Sequence, residues 1–172
     1  MTSAADPQTL VLVGPMAAGK TSVGRRVARR LGVAFIDTDK RIVAAHGPIP
    51  AIFEEHGEEY FREIEREAVA GALSEGGVIS LGGGAVTTAA TRDLLAEHSV
   101  VFLTVSPEAV ADRLRGSSRP LLAGEDPVER WKKIFEERRG WYDEVSSATF
   151  DTSRRPMQKI ADEIVAWKRE QR

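Results

Sequence analysis

One loop between a buried strand and a helix constrains the fold of this chain more than any other feature. Residues 10–31 read LVLVGPMAAGKTSVGRRVARRL, in which an apolar run breaks at a glycine and resumes as a helical pattern. The break fits the spacing G-x-x-x-x-G-K-[ST], the signature of a loop that wraps a phosphate. Glycines let backbone N–H groups turn toward the phosphate without a Cβ in the way. The motif therefore predicts that the chain binds a nucleoside triphosphate.

The flanks of the loop support this interpretation. Residues 10–13 have the length and composition of a buried strand, and Val23, Val27 and Leu31 form an apolar stripe at helical spacing. A chance match inside a loop or a helix would lack both flanks. We expect the Lys20 ammonium to bind the β- and γ-phosphates and the Thr21 hydroxyl to bind Mg²⁺. The residues of this loop expected to contact ATP are Gly14, Ala17, Ala18, Gly19, Lys20, Thr21 and Ser22.

The rest of the chain alternates short apolar runs with amphipathic segments. After residues 10–13, strands are predicted at 34–36, 78–81, 100–105 and 148–151. Strands that alternate with helices predict a parallel sheet covered on both faces, that is, a three-layer α/β sandwich. At 172 residues the chain is long enough for a single domain and too short for two of ordinary size. Ligands bind such sheets at the carboxyl ends of the strands.

Glycines and prolines predict where the helices begin and end. Gly57 is expected to divide residues 52–73 into a short helix and a long one. Ser106 and Asp126 each precede a proline, which is typical of an N-cap followed by the first helical residue. Together with the strands, these signals place residues 14–21, 37–39, 82–84, 106 and 152–156 at the carboxyl edge of the predicted sheet.

Composition excludes several classes of function. The chain has 24 basic and 26 acidic residues, a balance that argues against a general binder of nucleic acids or membrane surfaces. It has no cysteine, which excludes disulfides, thiolate chemistry and cysteine-based metal sites. There is no apolar run of membrane-spanning length and no export signal at the amino terminus. We therefore expect a cytoplasmic protein whose partners are small molecules, with no nucleic acid and no membrane among them.

Two acidic residues follow the second predicted strand. Phosphoryl transfer requires that the protein holds donor and acceptor in line and neutralises charge, with little covalent chemistry of its own. Asp37 and Asp39 would face the same way in an extended chain. One of them is expected to hold the Mg²⁺ shell while the other binds an acceptor hydroxyl. The alternative for Asp39 is that it caps a helix.

Glycines and arginines supply the remaining candidates. The run 82–84 is all glycine and follows a strand, so it forms either a close backbone contact with a ligand or merely a flexible turn. Arg119 lies in a segment bounded by Gly, Ser and Pro and is expected to close over bound phosphates as part of a lid. Arg62, Arg138 and Arg139 lie in charged helical segments, where surface salt bridges are the default interpretation.

Taken in order, these motifs resemble the shikimate kinases, small P-loop kinases of aromatic amino-acid biosynthesis. The matching pieces span residues 10–164 and are GPMAAGKTSVGRRVARRLG, the DTD of 37–39, IFEEHGEEYFREIE, SLGGGAV, RPLL, an arginine before WYDEV, and DTSRRP. A phosphate loop alone is widely shared, whereas DTD, GE-x-x-FR-x-x-E and LGGGAV together are selective. The resemblance implies the P-loop fold of the nucleoside-monophosphate kinases, with a lid at about 116–126 and an acceptor-binding segment at about 39–65.

The resemblance also implies an activity and a site. It implies a monomeric enzyme that uses ATP, with Mg²⁺ as cofactor, to phosphorylate the 3-hydroxyl of shikimate in chorismate biosynthesis. Catalysis would fall to Lys20, Asp39 and Arg119, and the metal to Thr21 and Asp37. Shikimate would contact Asp39, Arg62, Gly82, Gly83, Gly84 and Arg138. Beyond the phosphate loop, ATP would contact Arg113, Arg119, Arg154 and Pro156.

The chain departs from the family pattern in four places. Ala17 stands where a glycine is usual, and a positive φ there would cost about 1 kcal/mol. Pro48 and Pro50 replace polar residues, Gly140-Trp141 replaces Pro-Leu before Tyr142, and the lid is short. These differences leave a gluconate kinase, or another small hydroxy-acid kinase of the same fold, as the alternative. A nucleotide-binding module without catalysis is disfavoured because every group needed for phosphoryl transfer is present.

Overall fold

The computed structural model describes residues 6–115 and 126–171. They form a five-stranded parallel sheet in the order β2-β3-β1-β4-β5. The strands are β1 (Leu10–Val13), β2 (Phe35–Asp37), β3 (Val78–Ser80), β4 (Ser99–Thr104) and β5 (Ala148–Asp151). All five predicted strands are confirmed, and no bound moves by more than one residue. The three-layer α/β architecture is confirmed with them.

Helices cover both faces of the sheet. A short 3₁₀ turn at Ala85–Thr87 follows β3. The helices are α1 (Lys20–Leu31), α2 (Thr38–His46), α3 (Ile49–Glu75), α4 (Ala89–Leu95), α5 (Pro107–Arg115), α6 (Pro127–Val145) and α7 (Met157–Glu170). Among the described residues, no helix combines the length and the apolar character that a membrane span requires.

The predicted helix boundaries hold where a side chain can satisfy a free backbone N–H. The Ser106 hydroxyl accepts a hydrogen bond from the Ala109 N–H at 3.2 Å, and an Asp126 carboxylate oxygen accepts one from the Val128 N–H at 3.0 Å. Gly57 has φ 85° and ψ 174°, so helical geometry is interrupted there within α3. The predicted division into a short helix and a long one is therefore confirmed.

Alternation along the central strands divides the core between the two faces of the sheet. Leu10 and Leu12 of β1 pack toward α1 and α7, whereas Val11 and Val13 pack toward α3, α4 and α6. All four are buried, because a central parallel strand is covered on both sides. A smaller cluster of Ile42, Ile52, Phe61 and Ile64 fixes the bend between α2 and α3. The loop after β1 thus starts from the central, fully buried strand of the sheet.

Candidate active site

A cavity of about 860 Å³ opens at the carboxyl ends of β1, β2 and β3. It brings together four segments that are distant in sequence: the loop after β1, the start of α2, the glycine turn after β3 and one face of α6. Its lining includes these predicted site residues: Ala17, Ala18, Gly19, Lys20, Thr21, Ser22, Asp37, Asp39, Gly82, Gly83, Gly84 and Arg138.

Five predicted residues lie elsewhere. Gly14 is at the base of the loop and Arg62 lies against the glycine turn, where a Cβ on Gly84 would come within 2.5 Å of its Nη2. Arg113 contacts the loop from α5. Arg154 and Pro156 are exposed in the turn between β5 and α7 and are not among the lining residues. Arg119 and most of the predicted lid lie outside the described residues.

The phosphate loop has the backbone that the motif requires. Gly14 has φ 149°, and a Cβ there would lie 2.4 Å from the Leu103 carbonyl oxygen, so only glycine fits. Ala17 has φ 69°, a left-handed conformation that favours glycine. The positive φ that the sequence analysis considered for Ala17 is thus present, and the loop bears the corresponding strain.

Side chains from three helices and from the residue that follows β5 donate hydrogen bonds to the carbonyl oxygens of the loop. The Lys20 ammonium donates to the carbonyls of Gly14 and Pro15 at 2.6 and 3.0 Å. Three donors from outside the loop bind the next three carbonyl oxygens. Trp131 Nε1 donates to Met16 at 2.8 Å, Arg113 Nη1 to Ala17 at 2.6 Å, and Thr152 Oγ1 to Ala18 at 2.7 Å. Because the peptide unit is planar and trans, a carbonyl held on one side turns the next N–H to the other.

Lys20 has an unusual protonation equilibrium. Burial lowers the pKa of its ammonium to about 8, and the neighbouring Asp39 and Asp37 carboxylates oppose that shift. A group with this pKa remains mostly charged at neutral pH but loses its proton readily above it. Bound phosphates would restore the charge, so phosphate binding and proton uptake are coupled here.

Asp37 and Asp39 line the same cavity, although the chain between them is not extended as the sequence suggested. Asp37 ends β2, and its Oδ1 caps α2 by accepting the Lys40 N–H at 3.2 Å. The cap is therefore Asp37, while Asp39 lies in the first helical turn with its carboxylate against Gly82. Burial, together with Asp37, raises the pKa of Asp39, and Lys20 and Arg62 oppose the increase.

The Arg62 guanidinium is held by two carboxylates of its own helix. Its Nη1 lies 2.8 Å from Glu65 Oε1, and its Nη2 lies 3.4 Å from Glu58 Oε1. Glu65 is buried, which raises the pKa of its carboxyl against the opposing effect of Arg62. Glu65 is the last residue of the motif GE-x-x-FR-x-x-E, but the sequence alone assigned it no role. Its position three residues after Arg62 is the signal that the two side chains meet on one face of a helix.

The structure separates the two neighbouring arginines of α6. Arg138 lines the cavity, and a Cβ on Gly83 would lie 3.6 Å from its Nη1. The Arg139 guanidinium instead lies 5.8 Å from the centre of the Phe135 ring and 3.9 Å from Glu136, with its side chain 59% exposed. Only Arg138 can therefore contact a ligand in the cavity without a change of helix orientation.

Oxygen groups suited to Mg²⁺ are present where the sequence predicts them. Thr21 and Asp37 both line the cavity. The helix cap uses only Oδ1 of Asp37, so Oδ2 is the oxygen that could bind a metal. Within residues 6–115 and 126–171, no three His, Cys, Asp or Glu side chains cluster closely enough to hold a metal by themselves. This fits Mg²⁺, which uses one or two protein oxygens together with water and the phosphates of a nucleotide.

Comparisons with known proteins agree on one family. A family model described as shikimate kinase matches residues 16–169. A shikimate kinase from Corynebacterium efficiens is 46% identical over 158 residues, which is 91% of this chain and 94% of that protein. One from Saccharopolyspora erythraea is 48% identical over 158 residues, or 90% of each chain.

Solved structures give the same result. A shikimate kinase from Acinetobacter baumannii in complex with shikimate superposes with a TM-score of 0.85 and 36% identity, covering 95% of this chain and 93% of that one. A shikimate kinase from Aquifex aeolicus gives 0.76 at 34% identity, covering 94% and 95%. A gluconokinase from Sinorhizobium meliloti, with a TM-score of 0.67 at 23% identity over 96% of this chain and 93% of that one, shares the fold alone.

Proposed function

The chain belongs to the shikimate kinase family, and from this premise we propose that it transfers the γ-phosphoryl group of ATP to the 3-hydroxyl of shikimate, which gives shikimate 3-phosphate and ADP. The observation that carries the proposal is that one cavity is lined both by the phosphate loop and by the acceptor candidates Asp39, Gly82, Gly83, Gly84 and Arg138. Donor and acceptor can therefore be held in line, which is the main demand of this reaction.

On the donor side, the loop and Lys20 bind the phosphates. The Lys20 ammonium exchanges the Gly14 and Pro15 carbonyls for phosphate oxygens when ATP enters. Thr21 and Asp37 would hold Mg²⁺, and the ion would supply positive charge against the charge that develops on the phosphates. Arg119 of the lid completes this neutralisation, as the family resemblance implies.

The adenine end of ATP binds near the loop after β5. Arg113 uses two of its nitrogens on the Ala17 carbonyl and on Thr152, so the flat face of its guanidinium is the part left for the adenine ring. Arg154 and Pro156 contact the opposite side of the adenine ring. The resemblance assigns these residues, and their exposure in the turn before α7 is compatible with it.

On the acceptor side, two guanidinium groups bind the shikimate carboxylate. Arg62 and Arg138 both lie beside the glycine turn, where a planar fork of donors matches a carboxylate. Asp39 lies against Gly82 and orients the 3-hydroxyl. As the bond between the acceptor oxygen and the γ-phosphorus forms, the bond from that phosphorus to the β,γ-bridging oxygen breaks and its electron pair leaves with ADP. The hydroxyl proton passes to the Asp39 carboxylate, and its raised pKa makes this carboxylate a better proton acceptor.

A single chain supplies every group named above. We therefore propose that the enzyme works as a monomer, and that it does so in the cytoplasm, where ATP and Mg²⁺ are available. Light scattering during size-exclusion chromatography, with and without shikimate, tests the first of these statements. A stable dimer that dissociates only with loss of activity would contradict it.

The test of the proposed function is the release of ADP from Mg-ATP with a panel of acceptors. Shikimate, quinate, gluconate and a nucleoside monophosphate are compared at equal concentration. We expect turnover confined to shikimate. Equal or faster turnover of gluconate would instead favour the alternative hydroxy-acid kinase, and ATP binding without turnover of any acceptor would favour a non-catalytic module.

A further inference from the structure

Helix α6 contacts both halves of the active site with one face. Trp131, Phe135, Arg138 and Tyr142 follow one another at spacings of four, three and four residues, which places them on one side of a helix. Trp131 and Arg138 line the cavity, at its donor and acceptor sides respectively. Tyr142 continues the row beneath the glycine turn. One rigid element thus connects two loops that bind different substrates.

Trp131 holds the donor side. Its indole N–H donates to the Met16 carbonyl at 2.8 Å, and its ring stacks on Phe135 with centroids 5.1 Å apart and an interplanar angle of 14°. The side chain is buried. Because the Met16 carbonyl is fixed toward Trp131, the Ala17 N–H is turned to the opposite side of the peptide plane. Trp131 therefore sets the direction of a peptide unit in the phosphate loop.

Tyr142 holds the acceptor side in the same way. Its hydroxyl donates to the Gly83 carbonyl at 2.5 Å, and its ring stacks on Phe102 of β4 at 5.1 Å. Only 1% of this side chain is exposed. The hydroxyl is thus a buried polar group whose hydrogen bond fixes a peptide of the glycine turn.

The two loops meet at Gly83. A Cβ on Gly83 would lie 3.6 Å from the Gly14 carbonyl oxygen, 3.6 Å from the Met16 nitrogen and 3.6 Å from Arg138 Nη1. The glycine turn therefore lies close to the phosphate loop on one side and to an acceptor arginine on the other. A shift of the Gly83 peptide would change the separation of donor and acceptor directly.

We propose that Trp131 and Tyr142 are positioning residues for the phosphoryl transfer. Through α6 they hold the phosphate loop and the glycine turn in a fixed relation, so that the γ-phosphorus and the acceptor oxygen meet in line. The proposal rests on the proposed function, since it concerns the alignment of these two substrates. Misplacement by about 1 Å is enough to lower the rate of an aligned reaction about 100-fold.

A purely structural role makes a different prediction. Both side chains belong to the core, and their loss would weaken packing whatever they do in catalysis. Trp131→Phe and Tyr142→Phe remove the N–H and the O–H but keep an aromatic ring in the stack. Trp141→Phe is the matched control, because Trp141 is on the same helix, lies 5.3 Å from the Arg92 guanidinium and is not a lining residue of the cavity.

The experiment measures kcat, both KM values and Tm for the three variants. We expect Trp131→Phe to lower kcat about 10-fold and raise the KM for ATP, and Tyr142→Phe to lower kcat about 10-fold and raise the KM for shikimate. Trp141→Phe is expected to change none of these constants by more than about twofold. In the variant that combines Trp131→Phe with Tyr142→Phe, the fold-decrease in kcat is expected to be smaller than the product of the two single fold-decreases.

That last result would not arise from independent sites. Trp131 and Tyr142 are eleven positions apart on the helix, about 16 Å, a distance at which the effects of mutations normally add unless the two sites share a partner. Both rings stack on Phe135, and the two Phe variants keep a ring in that stack. The proposal is wrong if both single variants keep kcat within twofold of wild type, or if the losses multiply. It is also wrong if each variant raises both KM values equally while Tm falls, which is the signature of a structural role.

Failure of the proposed function gives a separate signal. A wild-type protein that releases no ADP with shikimate contradicts that function, and hydrogen exchange then decides the present inference without any acceptor. Trp131→Phe must speed exchange in residues 15–19 and Tyr142→Phe in residues 82–86, with ADP bound. Unchanged exchange in both segments, or equal changes in Trp141→Phe, would overturn it.

Discussion

The Arg62 guanidinium and the Glu65 carboxylate form an ion pair at the acceptor end of the cavity, with Nη1 and Oε1 2.8 Å apart. Only 2% of the Glu65 side chain is exposed, compared with 15% for Arg62. The buried Glu65 carboxylate thus orients the Arg62 guanidinium, which lies against the glycine turn. This pair explains how an arginine in an acidic helix is kept available for a substrate carboxylate.

Glu65→Gln is expected to raise the KM for shikimate about 10-fold with little change in the KM for ATP. The amide still accepts one hydrogen bond, but the charge that fixes Arg62 is lost. Steady-state kinetics with each substrate varied measures the effect. Glu58→Gln is the matched control, because Glu58 is 3.4 Å from the same guanidinium but 67% exposed, and such a pair contributes little. Equal effects of the two changes would contradict this role of Glu65.

Arg138→Lys and Arg139→Lys are expected to differ strongly. Lysine keeps the charge but loses the planar fork, so we expect kcat/KM for shikimate to fall about 100-fold in Arg138→Lys. Arg139→Lys should stay within about twofold of wild type, because its side chain faces Phe135 and solvent. Competition with a simple cyclohexane carboxylate measures whether the carboxylate contact is what was lost. A large effect of Arg139→Lys alone would reverse the assignment.

The affinity for ATP is expected to weaken as the pH rises through about 8. Free Lys20 loses its proton there, whereas bound phosphates favour the ammonium form. Calorimetry at pH 8.5 in two buffers of different ionisation enthalpy should therefore detect proton uptake on binding. The free energy of unfolding of the nucleotide-free protein should instead increase as the pH rises. The unfolded chain binds the Lys20 proton up to its ordinary pKa of 10.5, so unfolding becomes less favourable between about pH 8 and 10.5.

Replacement of Ala17 or Ala18 in the phosphate loop by glycine is expected to change the free energy of unfolding with opposite signs. Ala17→Gly relieves a left-handed backbone, a gain partly offset by the greater freedom of the unfolded chain, so we expect a net stabilisation of about 0.5 kcal/mol. Ala18→Gly removes a buried methyl group at a position without positive φ, and we expect a loss of about 1 kcal/mol. Urea unfolding of both variants measures the difference. Destabilisation by Ala17→Gly would show that the loop bears no strain.

Much of the fold and part of the site could be predicted from local patterns. The predictions of a strand, a loop and a helix at residues 10–31 were correct, because these elements depend on the spacing of glycines and apolar residues that are close in sequence. Asp37 and Asp39 were placed in the correct region, but the sequence did not show that Asp37 caps α2. Arg62 and Arg138 came from the family resemblance alone, since a charged helix gives no sign of which arginine faces inward.

The sequence by itself determined the order of strands and helices, the phosphate loop and the family. Tertiary structure alone decided which side chains fix the phosphate loop and the glycine turn. Thr152 reaches Ala18, Trp131 reaches Met16 and Tyr142 reaches Gly83 only because folding brings the end of β5 and helix α6 to the carboxyl ends of β1 and β3. The physical reason is that periodicity and capping depend on neighbours in sequence. A buried hydroxyl or indole N–H can pair with any carbonyl, and packing in three dimensions selects which one.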